Sequence, residues 1–335
     1  MWQVLASGIA LGAALAPDPA PCPAPCHLPI VVPSVAAAVQ SAGSATGEPA
    51  GRGSAAGSAS APGSASGATV GSEQVRARLV ADTAAFVPGE EHLVGVSLEI
   101  ADGWHVYAVA LNDTGSPLSV HIESPPGYAQ QTAPAWPAPE RHVTAGDLLD
   151  HVYERQVTLP LRVTVPADAA PGTAASFRAH VDWFVCKDVC IAGGADVSLS
   201  VPIAAAGADA GSSADEPLLR AAQARLPLPL PSAGVPVTLE LSGDTLNVRA
   251  PGAAGLAFVP DPDCAPPEHL LEDGERAGDA LALRLRPERE PGALVSGVLE
   301  VRWRDRPSAF YLVRVPAGPP AGSAPASRAP EAPSH

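Results

Sequence analysis

The chain has 335 residues, including 39 Pro and 31 Gly, and carries a net charge of −15. This length is sufficient for two domains of ordinary size joined by linkers. Because nucleic-acid binding requires surfaces rich in Lys and Arg, the acidic balance argues against nucleic acid as a partner.

The N-terminus predicts export. Val4–Ala16 is an apolar run that ends in small residues, as a signal peptide does. It is too short for a membrane span, which needs about 20 apolar residues. Residues 17–71 are rich in Pro, Ala, Gly and Ser and predict a disordered linker. We therefore expect residues 1–16 to be a signal peptide and the mature protein to be periplasmic or otherwise extracytoplasmic.

Residues 72–203 predict an all-β domain. Short segments alternate between apolar and polar residues, and clusters of Pro, Gly and Asp separate them. This pattern is typical of a β-sandwich. The predicted strands are Val75–Ala81, Leu93–Ile100, Trp104–Val109, Leu118–Ser124, Gln156–Val165, Ala174–Val185 and Ala195–Ile203.

Residues 217–316 predict a second, smaller β-rich domain between a linker (204–216) and a disordered tail (317–335). The domain opens with a short helix, Pro217–Leu226, which has its leucines on one side. The predicted strands that follow are Val237–Leu241, Thr245–Arg249, Ala280–Leu285, Gly297–Arg302 and Ala309–Val315.

Cys186 and Cys190 lie within a segment that otherwise has the pattern of a strand. In a regular strand their Cα atoms would be about 13 Å apart, whereas a disulfide needs them within about 7 Å. A three-residue turn between antiparallel strands would bring them close enough. Lys187 in that turn would stabilise a thiolate, and Asp188 would oppose it. The residues alone leave open a redox-active disulfide, a structural disulfide and two thiols that never pair.

A metal site is a further alternative. Two thiols with nearby imidazoles could bind Cu(I) or zinc. Because no second CxxC or HxxxH motif supplies further ligands at local spacing, we expect no dedicated metal site and no cofactor. The histidines in question are His105, His121, His142, His151 and His180.

The three remaining cysteines give weaker signals. Cys22 and Cys26 are separated by Pro23-Ala24-Pro25, and the extended geometry that proline favours would keep their thiols apart. Cys264 lies between Asp263 and Ala265 and is interpreted as a lone loop or core cysteine.

Four segments in order resemble the N-terminal periplasmic domain of the DsbD and ScsB thiol:disulfide interchange family. They are Asp102–Tyr107, Trp136–Pro139, Val152–Pro160 and the cysteine segment Val181–Ile191. Residues 217–316 resemble, more weakly, the second N-terminal domain of the ScsB copper-tolerance proteins. The resemblance implies an immunoglobulin-like sandwich and a protein-disulfide reductase or interchange activity.

The resemblance also implies roles for single residues. Cys190 matches the cysteine that attacks the oxidised partner, and Cys186 matches the resolving one. His105 and Tyr107 match positions that flank the pair, and Asp147–Asp150, with Leu148 and Leu149, matches a cap that shields it. The implied partners are a membrane thiol reductase of the DsbD/CcdA type, on a separate protein, and periplasmic thioredoxin-fold proteins.

Overall fold

The computed structural model describes residues 65–230, 234–290 and 292–318. Residues 1–64, which include the predicted signal peptide, most of the predicted linker, Cys22 and Cys26, lie outside the described residues, as does the tail from 319. Across the described ranges, no helix is both long and apolar enough to cross a bilayer. The predicted all-β fold class is confirmed.

The first domain is an immunoglobulin-like sandwich of two antiparallel sheets. Its strands are β1 (Ser66–Gly67), β2 (Val70–Gly71), β3 (Val75–Ala81), β4 (Glu91–Ile100), β5 (His105–Tyr107), β6 (Ser119–Glu123), β7 (Ala129–Gln130), β8 (Glu140–Thr144), β9 (Leu148–Glu154), β10 (Gln156–Thr164), β11 (Ala174–Cys186) and β12 (Cys190–Pro202). One sheet has the order β1-β12-β11-β5-β9-β8, with β6 also paired to β11, and the other has the order β2-β3-β4-β10-β7.

Alternating apolar residues explain why the two sheets pack together. Every second residue of β11 up to Val185 is buried, and the intervening ones are exposed. Because successive side chains of a strand point to opposite faces, this places one face of β11 in the core. Phe86, Phe177, Leu79 and Leu159 are among the fully buried side chains of that core.

The predicted linkers are shorter than expected where the structure describes them. Ser66–Gly67 pairs with β12, and Val70–Gly71 pairs with β3, although both lie in the predicted linker 17–71. In the second predicted linker, Ser213 donates its backbone N–H to the carbonyl of Asp82 at 3.0 Å. Strand pairing at a sheet edge uses backbone groups, so a Ser- and Gly-rich segment can join a sheet without an apolar pattern.

The second domain contains two further sheets. The elements that follow β12 in the chain are α1 (Glu216–Ala224), β13 (Leu228–Pro229), β14 (Thr238–Ser242), β15 (Thr245–Arg249), β16 (Ala253–Pro260), α2 (Leu270–Asp273), β17 (Glu275–Ala277), β18 (Ala280–Arg284), β19 (Leu294–Trp303) and β20 (Ala309–Pro316). The sheet orders are β13-β20-β19-β16-β17 and β14-β15-β18. Phe258, Leu283 and Leu299 lie in the core between them. The predicted β-rich character is thus confirmed.

Helix α1 belongs structurally to the first domain, which corrects its prediction as the leading helix of the second. Its main contacts with strands are with β3, β4 and β10. Leu219 is fully buried and lies so close to Gly95 of β4 that a Cβ atom there would come within 2.9 Å of the leucine. Arg78 of β3 donates to Asp215, just before the helix, at 2.7 Å. Because sequence periodicity shows which face of a helix is apolar but not what covers it, the partner could not be predicted.

Arg141 of β8 joins the two domains. Its guanidinium donates to the carbonyls of Leu270 and Leu271 at 3.2 and 3.1 Å and lies 3.4 Å from the carboxylate of Glu275. In a second contact, the N–H of Leu111 donates to the carbonyl of Pro260 at 2.9 Å. The second domain is therefore fixed to the edge of the first at β8 and at the segment that follows β5.

Replacing Leu219 with Ala should destabilise the first domain by about 2–5 kcal/mol, because the change leaves a cavity over β4. Urea unfolding would measure the loss, and amide hydrogen exchange would locate it in β3, β4 and β10. The exposed Gln223→Ala change in the same helix is the control and should shift stability by less than about 0.5 kcal/mol. Faster exchange confined to β16 and β19 would instead assign the helix to the second domain.

Candidate functional site

The β11–β12 hairpin brings Cys186 and Cys190 together. The two strands pair without interruption from Ala174 and Pro202 to the cysteines themselves, which are the last pair of the ladder. Their Cα atoms are 4.2 Å apart, and the sulfurs form a disulfide. The expected three-residue turn is therefore confirmed, and the alternative of two thiols that never pair is wrong. This geometry suits both a redox-active and a structural disulfide.

The two cysteines differ in exposure. Cys186 is only 3% exposed, although strand alternation places it on the outer face of the sheet. It is buried because Tyr107 and Val152 pack against it in a small cluster separate from the main core. Cys190 begins β12 and is exposed. Of the two residues of the disulfide, Cys190 is thus the one that a molecule approaching from solvent can contact.

Strand β5 places the side chains of His105 and Tyr107 near the disulfide. It lies between β11 and β9, and His105 is the register partner of Cys186. Cross-strand partners in an antiparallel sheet lie on one face, so the side chains of His105, Tyr107 and Cys186 share the outer face. The hydroxyl oxygen of Tyr107 is 3.8 Å from the sulfur of Cys190.

Residues 111–116 form a segment, here called the covering loop, that lies over Tyr107. Gly115 has a φ of +65°, and a Cβ atom there would lie 2.2 Å from the tyrosine ring, so only glycine permits this approach. Thr114 lies 3.2 Å from the Tyr107 hydroxyl and donates to Asp150 of β9 from both its backbone N–H and its hydroxyl. Sequence analysis did not identify Thr114 or Gly115 and placed Asp150 only within the predicted cap; the run Asn112–Ser116, rich in turn residues shortly after an aromatic strand, was the available signal.

His151 holds the start of the covering loop. Its Nδ1 lies 2.7 Å from the carbonyl of Leu111, and its backbone N–H donates to the side-chain oxygen of Asn112 at 2.7 Å. A carbonyl can only accept, so Nδ1 carries the proton of the neutral ring. Nε2 is buried without a hydrogen-bond partner among the described residues. Burial lowers the pKa of His151 to about 4, which keeps the ring neutral.

His105, next to Cys186 in the sheet, lies beside a second histidine, His142. Its ring lies 5.3 Å from that of Tyr107 and 4.5 Å from that of His142, measured between centroids. His142 in turn lies 3.3 Å from the carboxylate of Glu154. Burial, and then the neighbouring His142, lower the pKa of His105. A neutral imidazole therefore lies on the same face as the disulfide near pH 7.

The predicted cap, Asp147–Asp150, is the turn and first part of the β8–β9 hairpin. Leu148 is exposed, whereas Leu149 is buried and exchanges two hydrogen bonds with Asp113 of the covering loop. Neither leucine belongs to the cluster around Cys186. Their expected role as a shield stays a prediction. Lys187 and Asp188 were also predicted to flank the pair. Asp188 is exposed in the turn, and Lys187 extends over Gly103.

The other histidines proposed as metal ligands are separate from the cysteines along the sheet. His121 is the register partner of His180, whose ring nitrogens contact Asp196 and Asp182 at 2.7 and 3.2 Å. These contacts, led by Asp196, raise the pKa of His180. Within the described ranges, no group of three or more His, Cys, Asp or Glu residues is arranged to hold a metal ion.

Cys264 is a buried, free cysteine in the core of the second domain. Burial raises the pKa of its thiol to about 11, so the thiol stays protonated near neutral pH. A protonated thiol is a poor nucleophile, which separates Cys264 chemically from the pair at the hairpin tip.

A family model for the N-terminal domain of the thiol:disulfide interchange protein DsbD matches residues 76–202. Among solved structures, the chain is similar to the N-terminal periplasmic domain of ScsB from Proteus mirabilis (15% identity, TM-score 0.48, 74% of this chain and 95% of that chain). It is more distantly similar to the sporulation control protein Spo0M from Bacillus subtilis (8% identity, TM-score 0.18, 72% and 90%). No curated protein sequence matches the chain. The family match covers the domain that contains both paired cysteines.

Protonation of His151 should destabilise the fold as pH falls from 6.5 to 4. In this window the unfolded imidazole binds a proton that the folded one, with its pKa of about 4, does not, so unfolding becomes more favourable. Urea unfolding at several pH values would measure this slope. His151→Asn retains a donor for Leu111 and should reduce the slope by up to about 1.4 kcal/mol per pH unit.

Above pH 7.5 the stability curves of the wild type and of His151→Asn should run parallel, since the imidazole is then neutral in both folded and unfolded states. Equal slopes between pH 4 and 6.5 would show that His151 accepts a proton within the folded protein.

Proposed function

Because residues 76–202 form a domain of the DsbD N-terminal family, we propose that this chain is a thiol–disulfide exchange module that works through Cys186 and Cys190. In this proposal the reduced pair passes two electrons to an oxidised thioredoxin-fold protein outside the cytoplasm. The pair is then reduced again by the dithiol of a membrane reductase of the DsbD/CcdA type.

The difference in exposure between the two cysteines is the observation that carries the proposal. A disulfide whose only task is to hold a hairpin gains nothing from an exposed sulfur. Exchange, by contrast, needs one sulfur that a partner can reach and a second that is held behind it. Cys190 is exposed and Cys186 is 3% exposed, which supports Cys190 as the attacking cysteine and Cys186 as the resolving one.

The proposed reaction proceeds in two displacements. The thiolate of Cys190 attacks one sulfur of the partner disulfide; a mixed disulfide forms, and the other partner sulfur leaves as a thiolate. Cys186, as a thiolate, then attacks Cys190, which closes the Cys186–Cys190 disulfide and releases the second partner sulfur. The partner gains two electrons and takes up two protons, and this chain loses the same numbers.

An apolar surface around the disulfide suits contact with another protein. Phe184 is exposed on the same face of the hairpin as Cys186, and Val189 in the turn is 63% exposed, whereas Ile191 is exposed on the opposite face. Exposed apolar residues that lie together commonly mark a binding surface. We assign this surface, defined by Phe184 and Val189, to the thioredoxin-fold partner.

Trapping of a mixed disulfide would test the roles of the two cysteines. Cys186→Ser leaves the attacking thiol without its resolving partner, so a mixed disulfide with an oxidised thioredoxin-fold protein should accumulate. Cys190→Ser leaves only the buried thiol of Cys186. This variant should form at least about tenfold less mixed disulfide, since the reaction depends on access to the sulfur. Non-reducing gels and mass spectrometry would measure both, with Cys264→Ser as a control that should change neither result. Equal trapping by the two variants would contradict the assignment.

The reduction potential of the pair would separate exchange from a structural role. Structural disulfides of secreted proteins lie below about −300 mV, and exchange proteins lie above that value. Equilibration of the pair with glutathione and dithiothreitol buffers should therefore give a potential above about −300 mV. A value far below it would identify a structural disulfide and overturn the proposed function.

A further inference from the structure

We propose that Thr114 and Asp150 are positioning residues that control how readily Cys190 ionises, because they hold the hydroxyl proton of Tyr107 away from the Cys190 sulfur. When the Cys190 thiolate forms, the same proton turns from Thr114 to the sulfur. This inference rests on the proposed function for its biological meaning, since the thiolate is the reactive species in exchange.

The direction of the hydrogen bonds follows from counting donors and acceptors. The hydroxyl of Thr114 donates to one oxygen of Asp150 at 2.6 Å, and the backbone N–H of Thr114 donates to the other oxygen at 2.8 Å. A threonine hydroxyl has a single proton, so its oxygen can only accept from Tyr107, which lies 3.2 Å away. Tyr107 also has a single hydroxyl proton, and this proton is therefore committed to Thr114.

The Tyr107 hydroxyl has a second acceptor within reach. The sulfur of Cys190 lies 3.8 Å from its oxygen, a distance that suits a hydrogen bond to sulfur. A disulfide sulfur or a thiol is a weak acceptor, whereas a thiolate is charged and attracts a donor more strongly. Thr114 and the thiolate thus compete for one proton. Ionisation of Cys190 draws this proton away from Thr114, and the energy of that lost hydrogen bond opposes ionisation.

The covering loop keeps Thr114 in place for this competition. Gly115 lies against the ring of Tyr107, and Asp113 exchanges two hydrogen bonds with Leu149 of β9. Asp150 is 1% exposed, so water has little access to its bonds with Thr114. The acceptor for Tyr107 is consequently a fixed group and not a mobile side chain.

Other charged or titratable groups lie near the cysteines and also influence the thiol. They are His105 of β5, His142 of β8, Asp150 and Glu154 of β9, and Lys187 and Asp188 of the turn. Substitutions at Thr114 and Tyr107 retain all six groups. Thr114→Val also removes a hydrogen bond to Asp150, and any effect of that loss on the thiol would appear as a difference between Tyr107→Phe and the double variant described below. Asp150 is not substituted in the test, because loss of its charge would itself change the pKa of the thiol.

The test measures the pKa of the Cys190 thiol in the reduced full chain, from the pH dependence of its alkylation by iodoacetamide. Trypsin cleaves after Lys187 and so places Cys186 and Cys190 on different peptides, which mass spectrometry distinguishes. Tyr107→Phe removes the donor and should raise the thiol pKa, with about three- to tenfold less thiolate at a pH below it. Thr114→Val removes the competing acceptor and should lower the pKa, with about threefold more thiolate.

Two further variants separate this mechanism from a general disturbance of the site. Thr114→Ser retains the hydroxyl and should restore the wild-type pKa. The double variant Tyr107→Phe with Thr114→Val should behave as Tyr107→Phe alone, since Thr114 acts only through the tyrosine hydroxyl. The matched controls are Tyr128→Phe and Thr164→Val, and neither should change the pKa of the Cys190 thiol. The Tyr128 hydroxyl has no hydrogen-bond partner among the described residues, and Thr164 lies on the exposed side of β10.

An unchanged or raised pKa in Thr114→Val, or additive effects in the double variant, would overturn the inference. Alkylation requires no partner protein, so this failure is distinguishable from failure of the mixed-disulfide trap. If the thiol pKa shifts as expected but no mixed disulfide is trapped, the role of Thr114 and Tyr107 stands and the proposed exchange with a thioredoxin-fold partner is wrong.

Discussion

The uninterrupted pairing of β11 with β12 is the constraint on which the site depends. A slip of one residue would move every side chain of the hairpin to the opposite face and would separate the two cysteines. Burial of Phe177, Val181 and Trp183 in the core opposes such a slip. The sandwich core therefore fixes the position of the sulfurs, although neither sulfur lies in it. The same register places Cys186 beside His105 and so determines which side chains surround the disulfide.

The covering loop connects the site with both domains. On one side it packs against Tyr107 and is held by Asp150 and His151 of β9. On the other side, Leu111 donates to the carbonyl of Pro260 in the second domain. The second domain thus supports the loop from outside the sandwich, and the ion pair and hydrogen bonds of Arg141 hold the domain at that edge. Within the described ranges, the second domain is therefore connected to the disulfide through the covering loop and Tyr107.

The parts of the fold that follow from local pattern could be predicted, and those that depend on distant partners could not. Val75–Ala81 was predicted with its observed bounds, because its alternation is regular. Glu140–Thr144 was missed because a five-residue edge strand with three charged or titratable residues lacks that alternation. The same distinction between local and distant signals applies to the residues of the site. The cysteine spacing and the aromatic strand are local signals, whereas Thr114 and Asp150 lie 36 positions apart and meet only in the folded chain.

The packing of α1 against the first sandwich shows that this domain continues beyond its last strand. The family match stops at residue 202, and the last strand of the sandwich stops there too. Leu219, which packs over Gly95, lies beyond that point and is fully buried. A fragment cut at the family boundary would uncover an apolar surface on β4 and lose the ion pair between Arg78 and Asp215. The packed structure around the first sandwich therefore extends through Ala224, past the end of the family match.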